Sequence, residues 1–64
     1  MELRTLGDHI RKRRLDLGLL QRDVAARIGS DTSSVTNWEK GHTEPENRFL
    51  PAILELLGYD PNLP

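Results

Sequence analysis

At 64 residues and without cysteine, the chain has room for one small domain and neither a disulfide nor a thiolate metal site to staple it. Its composition, 36% apolar and 30% charged, fits a soluble globular chain, and no apolar run approaches the roughly 20 residues needed to span a membrane. A net charge of -1 gives no overall bias toward nucleic acid.

The apolar pattern predicts helices throughout. Leu6, Ile10 and Leu17 recur at spacings of four and then seven, and Thr5 stands three residues before Asp8, a capping-box spacing with Asp as the weaker partner. This predicts a first helix at about residues 6–16, ending near Gly18. A second is predicted at about 21–28, with Val24, Ala25 and Ile28 as its inner stripe and Gly29 as its stop. Ser30 and Asp31 are candidate caps for a third at about 32–39, where Val35 and Trp38 face the core and Gly41 closes the segment. Residues 42–48, HTEPENR, hold no apolar side chain and read as a loop. A fourth helix is predicted at about 49–57, with Leu50, Ile53, Leu54 and Leu57 as its stripe. Pro51 falls in its first turn, where a missing N–H has no intrahelical partner to lose. Residues 59–64, YDPNLP, read as a tail or the start of a linker. Strand-like alternation is missing. The expectation is therefore one all-α domain over residues 1–64, in which the short connector GSD forces the two middle helices into a crossed helix-turn-helix pair.

Charge is unevenly placed. Residues 9–30 carry Arg11, Lys12, Arg13, Arg14, Arg22 and Arg27 against only Asp16 and Asp23, while Glu44, Glu46, Glu55 and Asp60 lie elsewhere. Such asymmetry makes either one positive face on a near-neutral molecule or an ordinary solvated surface. His9 and His42 lack companions at ligand spacing, so no metal is expected. Nothing in the chain asks for a cofactor. No Ser-His-Asp set is identifiable, and His42 near Glu44 reads as a polar loop residue, so the chain is not expected to be an enzyme. With no signal-peptide apolar segment, a cytoplasmic location is the expectation.

Three ordered segments carry a resemblance: IRKRRLDLGLLQRDVAARIG, SVTNWEKG and PENRFLPAILELLG. Together the chain resembles the Cro/C1-type, xenobiotic-response-element or lambda-repressor-like helix-turn-helix domains of phage repressors, from about Leu6 to Gly58. The last segment is similar to the lambdoid domains down to RFLP. The resemblance implies a compact domain of four to five helices that reads DNA. The fifth is represented here at best by YDPNLP, which puts the family's usual route to dimerisation in question.

On this reading helix 3 enters the major groove, which is wide enough to admit an α-helix. Thr32, Ser33, Thr36 and Asn37 share its outward face by the i, i+3, i+4 rule. By resemblance Thr32, Ser33 and Asn37 occupy base-contact positions, and Asn suits adenine; the bland reading makes the hydroxyls caps and solvent-facing fillers. Ser34 lies between the faces, toward phosphate. The resemblance also implies that Gln21 contacts phosphate and buttresses a base-reading side chain, and that Lys40 and Gly41 lie where the backbone nears phosphate. It further implies that Arg48 reaches the minor groove, against the alternative of pairing with Glu44 or Glu46, and that Arg14 pairs with Glu39 between helices 1 and 3. Arg11, Lys12 and Arg13 are then left for phosphate or solvent, with Arg13 the foremost phosphate contact. Trp38 is expected in the core rather than at an interface.

The expected function is sequence-specific binding of double-stranded DNA as a transcriptional regulator, a repressor in particular, with a homodimer on a two-fold site as partner arrangement. The alternative is a protein-interaction module, such as an antitoxin or adaptor with weak DNA binding, docking near Leu19, Leu20 and Leu63.

Overall fold

The computed structural model describes residues 3–61. Four α-helices follow in order: α1 Leu6–Asp16, α2 Gln21–Ile28, α3 Thr32–Lys40 and α4 Leu50–Leu57, the last preceded by a single 3-10 turn at Asn47–Phe49. Among the described residues there is no strand. No described helix is long and apolar enough to cross a membrane. The all-α expectation is met among the described residues.

Local chemistry explains the boundaries. At the start of α1 the Thr5 hydroxyl accepts from the Asp8 N–H at 3.1 Å, and the Asp8 carboxylate accepts from the Arg4 and Thr5 N–H groups at 3.0 and 3.2 Å. Those backbone bonds, Arg4's foremost, hold the Asp8 carboxyl below its ordinary range. Lys12 and Asp16 pair along the exposed side of α1 at 2.6 Å. At the start of α2 the Asp23 carboxylate accepts from the Leu20 N–H at 2.9 Å. Asp31 caps α3, accepting from the Ser34 N–H at 2.7 Å. Pro51 sits in the first turn of α4, as its missing donor requires.

The core joins all four helices: Ile10 from α1, Val24, Ala25 and Ile28 from α2, Val35 and Trp38 from α3, and Ile53, Leu56 and Leu57 from α4. Leu6, Leu19, Phe49 and Ala52 pack against its edge. The Trp38 and Phe49 rings lie with centroids 5.6 Å apart. α3 packs on α1 and α2, and α4 closes the other side of both. Gly7 is what lets α1 come so near to α3. A Cβ there would stand 1.8 Å from the Trp38 carbonyl oxygen. At the far end, His9 Nδ1 and the Tyr59 hydroxyl lie 2.7 Å apart and tie the turn after α4 to α1.

Five apolar positions depart from expectation. Leu17, predicted in the core, is 41% exposed. Its phase was right only for a helix continuing through residue 17, whereas α1 stops at Asp16 and Leu17 is the capping residue. Leu50 and Leu54 are half-buried, and Leu56, not singled out from the sequence, takes the core place. The stripe of α4 is anchored by Phe49 on Trp38, so it runs through Phe49, Ile53, Leu56 and Leu57. At about 100° per residue, Leu54 then falls on the shoulder. Leu6 is half-buried at the rim, one turn before Ile10. The 3-10 turn occupies the end of the predicted loop, and α3 runs one residue further than predicted, to Lys40. Leu63, with the rest of residues 62–64, lies outside the described residues.

Candidate nucleic-acid interface

The outward face of α3 is built by the burial of its other face. Val35 and Trp38 are buried, which turns Thr32 and Ser33 to solvent and leaves Thr36 and Asn37 half-exposed one turn later. Among the described residues, no side-chain hydrogen bond occupies Thr32, Ser33 or Asn37. Three short polar side chains are thus presented without an internal claim on them.

Behind this face stands a connected polar network. Arg14 of α1 grips Glu39 of α3 with two bonds, Nε to Oε2 at 2.8 Å and Nη2 to Oε1 at 2.9 Å. The two side chains are 13% and 4% exposed, so the pair is largely withdrawn from water. Hydrogen bonding to Glu39 raises the Arg14 pKa further above its already high value. Arg14 Nη1 also donates to the Leu19 carbonyl at 3.1 Å, fastening the α1–α2 connector. The Glu39 carboxylate accepts a third bond at Oε1, from Gln21 Nε2 at 3.2 Å. The Gln21 side-chain amide oxygen, Oε1, in turn accepts from the Thr36 hydroxyl at 2.7 Å. One chain of contacts therefore runs from α1 through both helices of the helix-turn-helix to a residue of the outward face.

The other predicted contact residues divide. Lys40 is exposed at the end of α3, and Gly41 follows with φ +78°, a left-handed conformation that glycine adopts without strain. The His42 N–H then bonds the Asn37 carbonyl at 2.9 Å and the Gly41 N–H the Trp38 carbonyl at 3.1 Å, which seals the helix end. Arg48 is exposed, lies 4.7 Å from the Phe49 ring centroid and pairs loosely with Glu46 at 3.3 Å. Arg13, expected at phosphate, donates from Nε to the Leu56 carbonyl at 3.0 Å and so caps the end of α4. Burial of α4 against α1 brings that carbonyl within its reach, which no sequence spacing reveals. Ser34, also expected toward phosphate, gives its N–H to Asp31, and hydrogen bonding to Ser34, backbone first, holds the Asp31 carboxyl below its ordinary range. Asp31, Glu44 and Glu46 line a cleft of about 450 Å³ beside the outward face, together with Asn37 and Arg48.

Among the described residues, no group of three His, Cys, Asp or Glu side chains is placed to hold a metal ion.

Comparison with known proteins places this arrangement. A family model described as Helix-turn-helix matches residues 10–63. The HTH-type transcriptional regulator DicA of Escherichia coli (strain K12) is 37% identical over 57 residues, covering 89% of this chain and 42% of that protein. The chain thus spans less than half the length of this curated relative. The P22 c2 repressor, solved in complex with a synthetic operator, superposes with a TM-score of 0.82 at 29% identity, over 92% of this chain and 89% of that one. The solution structure of the DNA-binding domain of the P22 c2 repressor gives a TM-score of 0.79 at 29% identity, over 97% and 82%.

Proposed function

The chain belongs to the helix-turn-helix family, and from that premise we propose that it binds double-stranded DNA sequence-specifically and regulates transcription, as a repressor. The observation that carries this reading is the outward face of α3. Thr32, Ser33, Thr36 and Asn37 stand on a helix of nine residues held at both ends and clamped from behind by the Arg14–Glu39–Gln21 network. A helix so mounted fits the major groove and presents donors and acceptors of the size that read base edges. The likeness to a repressor solved on its operator supports the same reading.

The mechanism is occupancy. One such domain makes a small contact, so useful affinity comes from two copies on a two-fold operator whose half-sites lie about 34 Å apart. Lys40 and the N–H groups at the start of α2 face phosphate, and Gln21 and Arg48 take part at its edges. No catalytic step is assigned to the chain, and its place is the cytoplasm or nucleoid, where DNA is.

A second reading is a protein-interaction module. The carboxylates of Asp31, Glu44 and Glu46 beside α3 favour it, because they repel phosphate. Selection from random duplex DNA, followed by titration at two salt concentrations, separates the two. An enriched two-fold motif, lost in Asn37→Ala, supports groove reading. Weak binding without sequence preference that fades steeply with salt sinks it.

A further inference from the structure

Asp31 stands at the leading end of α3, and capping the helix uses only part of its carboxylate. The residue is exposed, lies immediately before Thr32 and Ser33, and shares the cleft beside the outward face with Asn37. A carboxylate has about four lone-pair sites to accept with and no hydrogen to give. Among the described residues only Ser34 draws on them, its N–H lying 2.7 Å from Oδ1. No cation among the described residues pairs with Asp31. Acceptor capacity and negative charge are both left open to solvent.

A negative charge at that place is repelled by phosphate. Toward base edges it is selective, and the first residues of a recognition helix are the ones that meet those edges. In the major groove guanine offers two acceptors, N7 and O6, and thymine offers one, O4. Adenine offers its N6 donor with the N7 acceptor beside it. Cytosine offers its N4 donor with no acceptor on the same edge. A carboxylate therefore gains most from cytosine and meets repulsion from guanine and thymine.

We propose that Asp31 is a specificity-determining residue that accepts a hydrogen bond from cytosine N4, so that each half-site carries a cytosine opposite the start of α3. One carboxylate then performs two tasks, Oδ1 holding the Ser34 N–H and Oδ2 meeting the base. The inference rests on the DNA-binding reading above. It gives an acid beside α3 a part in that reading and names what one position of the operator must offer.

The test is selection of random duplex DNA by wild-type protein, Asp31→Asn and Asp31→Ser, each first checked for a cooperative melt. Asn and Ser cap a helix about as well as Asp, so both variants keep the end of α3. One column of the wild-type motif is expected to favour cytosine over guanine by roughly ten- to hundredfold, the range of one good base contact. Both variants should lose the cytosine preference in that column and leave the other columns intact. A cytosine column that both folded variants leave unchanged overturns the proposal. So does an Asp31-dependent column that favours adenine, guanine or thymine. So does a loss spread evenly over all columns, which would make Asp31 a helix cap and nothing more. Each of these results comes with a motif and defeats this inference alone. No motif from folded wild-type protein defeats the DNA-binding reading on which it stands.

Discussion

One methyl group is the smallest change that should disable the molecule. Gly7→Ala puts a carbon 1.8 Å from the Trp38 carbonyl oxygen, and that atom belongs to a helix backbone rather than to a side chain that can step aside. Helix α1 must move, at a cost of about 3 kcal/mol or more, the upper range of overpacking. A denaturant midpoint unchanged from wild type would show that the approach is looser than described. The Arg14–Glu39 pair makes a second prediction. Glu39→Ala strands a largely buried guanidinium and should cost about 3–5 kcal/mol, while replacing both residues with methionine should recover much of the loss; urea titration of the three variants reads both. The third concerns acid. Asp31 has a lowered pKa in the folded chain because Ser34 bonds its charged form. A depressed pKa contributes stability above the unfolded value and loses it as pH falls through the folded one. Melting temperature should therefore drop as pH goes below the ordinary aspartate value of 3.8. Asp31→Asn keeps a good cap without the titration and should show a shallower acid limb.

Helix ends were legible in the sequence because their causes are local. Thr5 with Asp8, Asp31 before α3, and glycines at 29, 41 and 58 announce themselves at fixed offsets. Helix faces were legible wherever a stripe was bounded on both sides by polar residues, as with Val24, Ala25 and Ile28. They were not in α4, where leucine stands at 50, 54, 56 and 57 and periodicity fits more than one phase. What settles the phase is Phe49 against Trp38, a contact between elements. Leu56→Ala should accordingly cost about 2–4 kcal/mol and Leu54→Ala about 1 kcal/mol or less. Equal losses in denaturant titration would return the helix to the phase read from sequence. The same limit hid the bond from Arg13 to the Leu56 carbonyl and the bond from Thr36 to Gln21. Partners 43 and 15 residues apart carry no spacing rule. The outward face of α3, by contrast, was visible once its inward face was.

For the whole molecule, a net charge of -1 sets the electrostatics of any DNA encounter. General attraction to phosphate is weak, so the proposed DNA binding would depend on a few placed cations, for which Lys40 and Arg48 are the candidates. Arg48 is restrained only by an exposed pair with Glu46, worth about 0–1 kcal/mol, and is released at little cost. If it meets the backbone of the operator, Arg48→Ala should lower the slope of log affinity against log salt by about 2 for a dimer, one per protomer. An unchanged slope removes Arg48 from the interface.

The chain also carries its own optical reporter. Trp38 is its single tryptophan, buried on the inner side of the helix that faces outward with Thr32, Ser33 and Asn37, and packed at a tilt beside Phe49. Intrinsic emission therefore monitors one specific event, the seating of α3 on the rest of the molecule. A blue-shifted band that moves to the red on denaturation follows unfolding without any label. A band that stays fixed when duplex is added would mean that the helix meets its ligand as a rigid body, already in place.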